Sequence, residues 1–186
     1  SDPQVEKVLV IFKTHLDIGF TDLSSKVEQR YIDYYIPKAI EVARRLREEG
    51  GDERYVWTTG AWLVDAYLRQ ATPEAAAELE EAIRRGDIVW NGVPYTVESE
   101  SMNRALFEGI LRLSQRLDAR FGKHTSAAKM TDVPGHTRSI VPLLSEAGIG
   151  FLHVGTNPAV GMPDVPPVCR WRDPASGREI LSLIHI

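Results

Sequence analysis

The sequence predicts an α/β fold built on a parallel sheet, and three patterns predict it. Short apolar runs rich in β-branched residues alternate with longer segments of helical periodicity, as β/α units require. The first run, Val8-Leu9-Val10-Ile11-Phe12, is continuously apolar, as in a strand buried on both faces. Prolines and glycines fall where helices should start and stop.

Taken in order, the run from Val8 to Phe12 is the first strand, and a helix follows over 27–35. Pro37 suits the first turn of a second helix that runs to Glu49, where Gly50-Gly51 ends it. A strand is predicted over 54–59 and a helix over 61–70, with Trp62, Leu63, Val64, Tyr67 and Leu68 at helical spacing. Thr72-Pro73 caps and opens the next helix, which runs to Arg85 before Gly86. Ile88-Val89-Trp90 is the third strand. A long helix over 102–121 carries Leu106, Ile110, Leu113 and Leu117 as its apolar stripe. A strand over 127–130, a helix over 139–147 and a strand over 150–154 follow. A hairpin then turns through Asp173-Pro174-Ala175-Ser176-Gly177, between strands over 168–171 and 179–186.

Five such units are too few to close an eight-stranded barrel, so a partial barrel and an open doubly wound sheet both fit. The chain stops within the apolar run Leu181-Ser182-Leu183-Ile184-His185-Ile186. The expectation is one domain over 1–186, the amino-terminal part of a domain that continues beyond residue 186.

Composition narrows the function. Of 186 residues, 43% are apolar and 26% charged, the balance of a globular chain with a real core. A net charge of −4 argues against a nucleic-acid surface. The basic cluster Arg44, Arg45 and Arg47 is interleaved with Glu41, Glu48 and Glu49 and reads as a solvated helix face. No apolar run approaches the roughly 18 residues that span a bilayer, and the start Ser1-Asp2-Pro3-Gln4 has no signal-peptide character, which leaves the compartment open. With Cys169 as the one cysteine, any metal must be held by histidine and carboxylate.

In parallel α/β folds, reactive groups gather where strands end. His15 and Asp17 follow the first strand two residues apart, so both side chains project from one face. An imidazole nitrogen and a carboxylate oxygen so placed can share a cation at about 2.0–2.2 Å. They can equally hydrogen-bond each other without a metal. Asp132 ends the fourth strand before the turn Val133-Pro134-Gly135, and His136 and Thr137 open the next helix, with Thr137 as a candidate cap. Asp132 reads either as a catalytic carboxylate or as a loop aspartate bonding amides. Glu98 and Glu100, on the loop after the third strand, can bind sugar hydroxyls or supply the acidic first turn of the following helix; the helix role is favoured for at least one. Gly155-Thr156-Asn157 is a further strand-end segment. Trp90 and Tyr95 could stack on a sugar but read as core, with Trp57 and Trp62. His153 reads as interior, His124 as surface, and Cys169 as unreactive.

Together these segments resemble family 38 glycoside hydrolases, the zinc-dependent retaining α-mannosidases. The resemblance rests on His15-Leu16-Asp17-Ile18-Gly19-Phe20 after a strand, on Asp132-Val133-Pro134-Gly135-His136-Thr137, and on Trp90-Asn91-Gly92 leading to the acidic loop from Glu98 to Ser101. It implies the amino-terminal part of a seven-stranded β/α barrel of the glycoside hydrolase/deacetylase type, truncated at the carboxyl end. It implies zinc held by His15, Asp17 and Asp132, with Asp132 also the nucleophile, and a carbohydrate substrate contacted by Phe20, Glu98, Glu100 and His136. The family's acid/base residue and fourth zinc ligand, a histidine, come later in its chains, so the site is expected to be incomplete here unless His185 substitutes. Phe20 stands where the family usually has Trp, and Val133-Pro134 replaces Pro-Phe. Both departures concern the sugar, so the expectation is a glycoside hydrolase whose sugar is open.

Two other classes compete. A metal-dependent carbohydrate deacetylase would use zinc to activate water, but such sites bring two histidines together as His-x3-His, and the histidines here are His15, His124, His136, His153 and His185. A non-catalytic carbohydrate-binding remnant of the fold would not retain metal.

Overall fold

The computed structural model describes residues 4, 6, 10–157, 159–161 and 163–184. The chain divides into two compact units: Ser1–Thr59 with Gln70–Val89, and Gly60–Arg69 with Trp90–Ile186.

The first unit is organised by a helical run and a short parallel sheet. Phe12–Lys13 (β1) pairs in parallel with Trp57–Gly60 (β2), Phe12 opposite Trp57, and Ile88–Asn91 (β3) completes the order β1-β2-β3. The predicted first strand is therefore corrected. Val10 and Ile11 lie outside β1 and are each 71% exposed; among the described residues β1 pairs with β2 alone, and Val8 and Leu9 lie outside those residues.

Pro37 stands in the first turn of its helix, as expected, but that helix does not start anew. Ser24–Arg30 (α1), a π-helical turn at Tyr31–Tyr35, and Ile36–Glu48 (α2) form one uninterrupted helical run. A proline inside a helix has no N–H and crowds the carbonyl four residues back, here Asp33. Widening the preceding turn to π geometry accommodates both, so the run continues instead of restarting. Ile36, Ala39, Ile40 and Ala43 are the buried stripe of α2, at the spacing of one helix face. In Pro73–Arg85 (α4), Thr72 Oγ1 accepts from the Ala75 amide at 3.3 Å, and Gly86 closes the helix at φ +84°.

Arg47 is not part of a solvated face. Its Nε donates to Asp87 Oδ1 at 2.8 Å, with a second bond from Nη2, and Arg85 Nε donates to Oδ2 at 3.0 Å. Asp87 is buried, and its carbonyl accepts from Trp57 N–H at 2.8 Å. Burial alone would raise the Asp87 pKa; the hydrogen bonds and charges of Arg47 and Arg85 outweigh it and hold the carboxyl below its ordinary value. The clamp fixes α2 and α4 to the start of β3.

The second unit packs helices on a four-stranded sheet. Ala127–Val133 (β4), Phe151–Thr156 (β5) and Glu179–Ile184 (β7) run parallel, and Val168–Arg172 (β6) is antiparallel to β7, in the order β4-β5-β7-β6. The predicted hairpin is present: Asp173 Oδ2 accepts from the Ser176 amide at 2.9 Å and the Ser176 hydroxyl at 2.7 Å, and Gly177 sits at φ +71°. Ala61–Gln70 (α3) has its predicted bounds. Arg104–Phe121 (α5) starts two residues late, where Asn103 Oδ1 accepts from the Leu106 amide at 2.9 Å. Its buried face is Phe107, Ile110, Leu111, Ser114 and Leu117, while Leu106 is 53% exposed. The stripe is thus turned by one position from the prediction, and Ser114 is tolerated on it because its Oγ donates to the Asn91 carbonyl at 3.2 Å. Phe107, Met130, Leu144, Leu152 and Ile180 meet in the core, with Ile140–Glu146 (α6) contributing Ile140 and Leu144.

The α/β class holds, but a seven-stranded barrel is not seen. Among the described residues the strands form sheets of three and four, and neither closes. Past β3 the Gly92 amide donates to the Ala127 carbonyl at 2.9 Å, yet Pro94, lacking an N–H, cannot extend that contact into a ladder.

Candidate functional site

In the first unit the candidate residues lie just past β1. The Thr14 amide donates to the Thr58 carbonyl at 2.9 Å, one pairing beyond the strand, and the chain then leaves β2. His15 Nε2 and Asp17 Oδ1 come to 3.1 Å, as the two-residue spacing predicts. Gly19, at φ +79°, turns the chain directly after the motif. Tyr31, the first residue of the π turn, donates its hydroxyl to the His15 carbonyl at 3.2 Å. Its pKa is raised, first by burial and then by the neighbouring Tyr35 and the Asp17 charge. His15 and Tyr31 share the wall of a cavity of about 310 Å3 with Thr14, Tyr35, Tyr55 and Trp57. Phe20 is 86% exposed and packs no core.

In the second unit Asp132 lies inside β4, one residue before its end. It takes φ +67°, the one non-glycine residue among those described with positive φ, and the β4–β5 register shifts between Thr131 and Val133. That left-handed geometry costs an L-residue about 1–2 kcal/mol, least for Asp and Asn. The irregularity turns Asp132 out of the ladder's alternation. Asn157, just past β5, donates its Nδ2 to Asp132 Oδ1 at 2.6 Å, and its own amide donates to the Val133 carbonyl at 3.1 Å. Asn157 thereby fixes the carboxylate's rotation.

His136 and the acidic loop form a separate cluster in this unit. His136 Nδ1 lies 3.3 Å from Ser99 Oγ, which also accepts the Thr137 amide at 3.0 Å and lies 3.4 Å from Glu100 Oε2. Burial lowers the His136 pKa, against the opposing charge of Glu100. Ser99 is 2% exposed, too buried to act as a nucleophile. Glu98 and Glu100 are exposed. Neither lies in the first turn of α5, which contains no acidic residue, so the helix role expected for one of them is corrected; Asn103 takes the cap. Thr137 does not cap α6; its Oγ1 lies 3.2 Å from Ser139 Oγ, in the turn before the helix. Trp90 is core, as expected, and donates to Asp118 Oδ1 at 2.9 Å.

Within the units, then, His15 joins Asp17, Asp132 joins Asn157, and His136 joins Ser99. Tyr31 carried no signal in the sequence, and Asn157 and Ser99, though they lie in strand-end segments noted there, had no assigned partner, since each meets its residue across a long stretch of chain. His185 lies outside the described residues. No helix among the described residues is long and apolar enough to cross a membrane.

Comparison with curated proteins returns no match. Solved structures are similar in fold. An α-mannosidase from Enterococcus faecalis V583 superposes with a TM-score of 0.74 at 13% identity, over 94% of this chain and 19% of that one. A glycosyl hydrolase family 38 protein from Enterococcus faecalis gives 0.68 at 11%, over 93% and 18%. A 4-α-glucanotransferase from Thermococcus litoralis gives 0.61 at 14%, over 94% and 27%. The chain thus spans about a fifth of the first two structures. At these identities the likeness is one of fold, and it extends to a transferase as well as to hydrolases. The family is shown by the sequence: the glycosyl hydrolases family 38 N-terminal domain matches residues 6–181, and this chain belongs to that family.

Proposed function

We propose that this chain supplies the metal ligands and the nucleophile of a zinc-dependent retaining glycoside hydrolase, α-mannosidase-like, with His15, Asp17 and Asp132 as ligands and Asp132 as the attacking carboxylate. The observation that carries the reading is the His15–Asp17 pair. Its donor atoms are 3.1 Å apart, close to the edge of about 3.3 Å that tetrahedral ligands at zinc bond lengths span. One nitrogen and carboxylate oxygens are a donor set that zinc accepts. The left-handed backbone at Asp132 supports a functional role there, because such strain persists where surrounding structure over-determines it.

A bound zinc would supply Lewis acidity toward adjacent sugar hydroxyls. Asp132, its rotation held by Asn157, attacks the anomeric carbon; the glycosidic oxygen leaves with a proton from a second carboxyl group, and water then cleaves the glycosyl ester. Retention requires that second group about 5–5.5 Å from the first. We place it, with a fourth zinc ligand, outside these residues, consistent with the small share of the α-mannosidase structure that the chain covers. Exposed Phe20, Glu98 and Glu100 are the candidate sugar contacts. His136, tied to Ser99, contributes by ordering the loop that follows Asp132.

The test is metal analysis of the full-length protein with a panel of chromogenic α- and β-glycosides, before and after chelation. One zinc per chain and hydrolysis that chelation abolishes and zinc restores are expected. Metal-free protein that hydrolyses a glycoside at full rate would remove zinc from the reading.

A further inference from the structure

The His15–Asp17 pair stands on little local structure: β1 has two residues, and the ladder to β2 ends at Thr14. A ligand pair placed this way needs its backbone held, because rotation of one peptide moves both donor atoms. The hydrogen bond from Tyr31 to the His15 carbonyl spans 16 residues and comes from a helical run. Tyr31 is itself constrained. It opens the π turn that precedes Pro37, and its ring lies 4.9 Å from that of Tyr35, which lies 5.3 Å from Tyr34. Tilted and edge-on contacts at about 4.5–7 Å between aromatic rings are favourable, so the hydroxyl is aimed by a packed set of aromatic side chains.

We propose that Tyr31 is a positioning residue for the metal pair: its hydroxyl, presented by the π turn, fixes the His15 peptide and so sets the spacing of the His15 and Asp17 donor atoms. The inference rests on the zinc reading above. Groups that orient metal ligands typically change metal affinity about 10–100-fold when removed.

The experiment uses the full-length protein and Tyr31→Phe, which deletes the hydroxyl and keeps the ring. Zinc affinity is measured by competition with a chromogenic chelator, and the visible spectrum of the cobalt-substituted protein reports ligand geometry. Tyr35→Phe is the control for the ring contact. Zinc affinity at least about tenfold lower and an altered cobalt spectrum are expected for Tyr31→Phe, with the Tyr35→Phe protein close to wild type. If Tyr31→Phe melts lower without metal, an unaltered cobalt spectrum still overturns the proposal, since a purely structural role leaves the saturated site intact. Wild-type protein that binds zinc, with Tyr31→Phe binding it equally, overturns the positioning role alone. Wild-type protein that binds no zinc overturns the zinc reading and the positioning role with it.

Discussion

The two strands that lead to the candidate ligands are built in opposite ways. β1 is two residues long, has one neighbouring strand among the described residues, and is preceded by exposed Val10 and Ile11. β4 is seven residues long, pairs along β5, and buries Ala128, Met130 and Val133. At β1 the candidate pair is held by discrete hydrogen bonds, a local one of His15 with Asp17 and a longer-range one from Tyr31 to His15. At β4 the sheet itself holds Asp132, and a register shift with one left-handed residue changes its direction. A side chain can therefore be aimed by discrete bonds on a weak strand or by an irregularity in a strong one. The first mechanism is sensitive to loss of a single hydroxyl, the second to loss of the carboxylate or its Asn157 partner.

Substitutions can break this comparison at several levels. The largest effect is expected at Asp132 in the full-length protein. Asp132→Asn should lower kcat on the order of 10^4-fold or more, as removal of a nucleophile does elsewhere, while sugar binding measured by calorimetry persists. Undiminished turnover would take Asp132 out of the nucleophile role.

Next come the strands. Met130→Ala should cost about 3 kcal/mol in denaturant unfolding, within the range for emptying a fully buried site. Ile11→Ala should stay within about 0.5 kcal/mol, the usual range for exposed positions. Equal losses would show that β1 is supported as firmly as β4.

Asp87→Asn should cost about 2 kcal/mol, the scale of hydrogen bonds to a charged group, because Arg47 and Arg85 lose the negative charge and one of its two acceptor oxygens but can turn to solvent. The folded pKa of Asp87 lies below its unfolded value near 3.9. Its contribution is therefore complete above about pH 3.9 and lost as pH falls through the folded value. Unfolding curves for both proteins between pH 7 and 3 check the sign.

The smallest expected effect is at His136. Burial lowers its folded pKa below an unfolded value near 6.5. Its contribution is full above about pH 6.5 and drains away as pH drops toward the folded value. The difference in Tm between wild type and His136→Gln should therefore narrow on acidification; a constant gap from pH 8 to 5 would show that His136 is not held neutral by its surroundings.

Much of this was readable from neighbouring residues. Thr72-Pro73 and Gly86 bound α4, Gly122 ends α5 at φ +62°, and the Asp173–Gly177 turn joins β6 to β7, each where its residue types require. The His15–Asp17 contact also follows from spacing. Pro37 sits in the first turn of α2, as its type predicts; the π turn that joins α2 to α1 was not legible, because such a turn leaves no periodicity that distinguishes it from α-helix. The stripe of α5 was off by one position because Leu106 and Phe107 are both apolar, so packing decides between them.

The sequence by itself determined most helix ends, the hairpin, the α/β class and the contact of His15 with Asp17, since each depends on residues within about a turn of one another. Tertiary structure decided the rest: the bulge that redirects Asp132, its tie to Asn157, the Arg47–Asp87 clamp, the Ser99–His136 contact and the hold of Tyr31 on His15. These join groups 16 to 40 residues apart. No local rule ranks such pairings, because their free energy comes from burial and geometry that exist only once the strands and helices have packed.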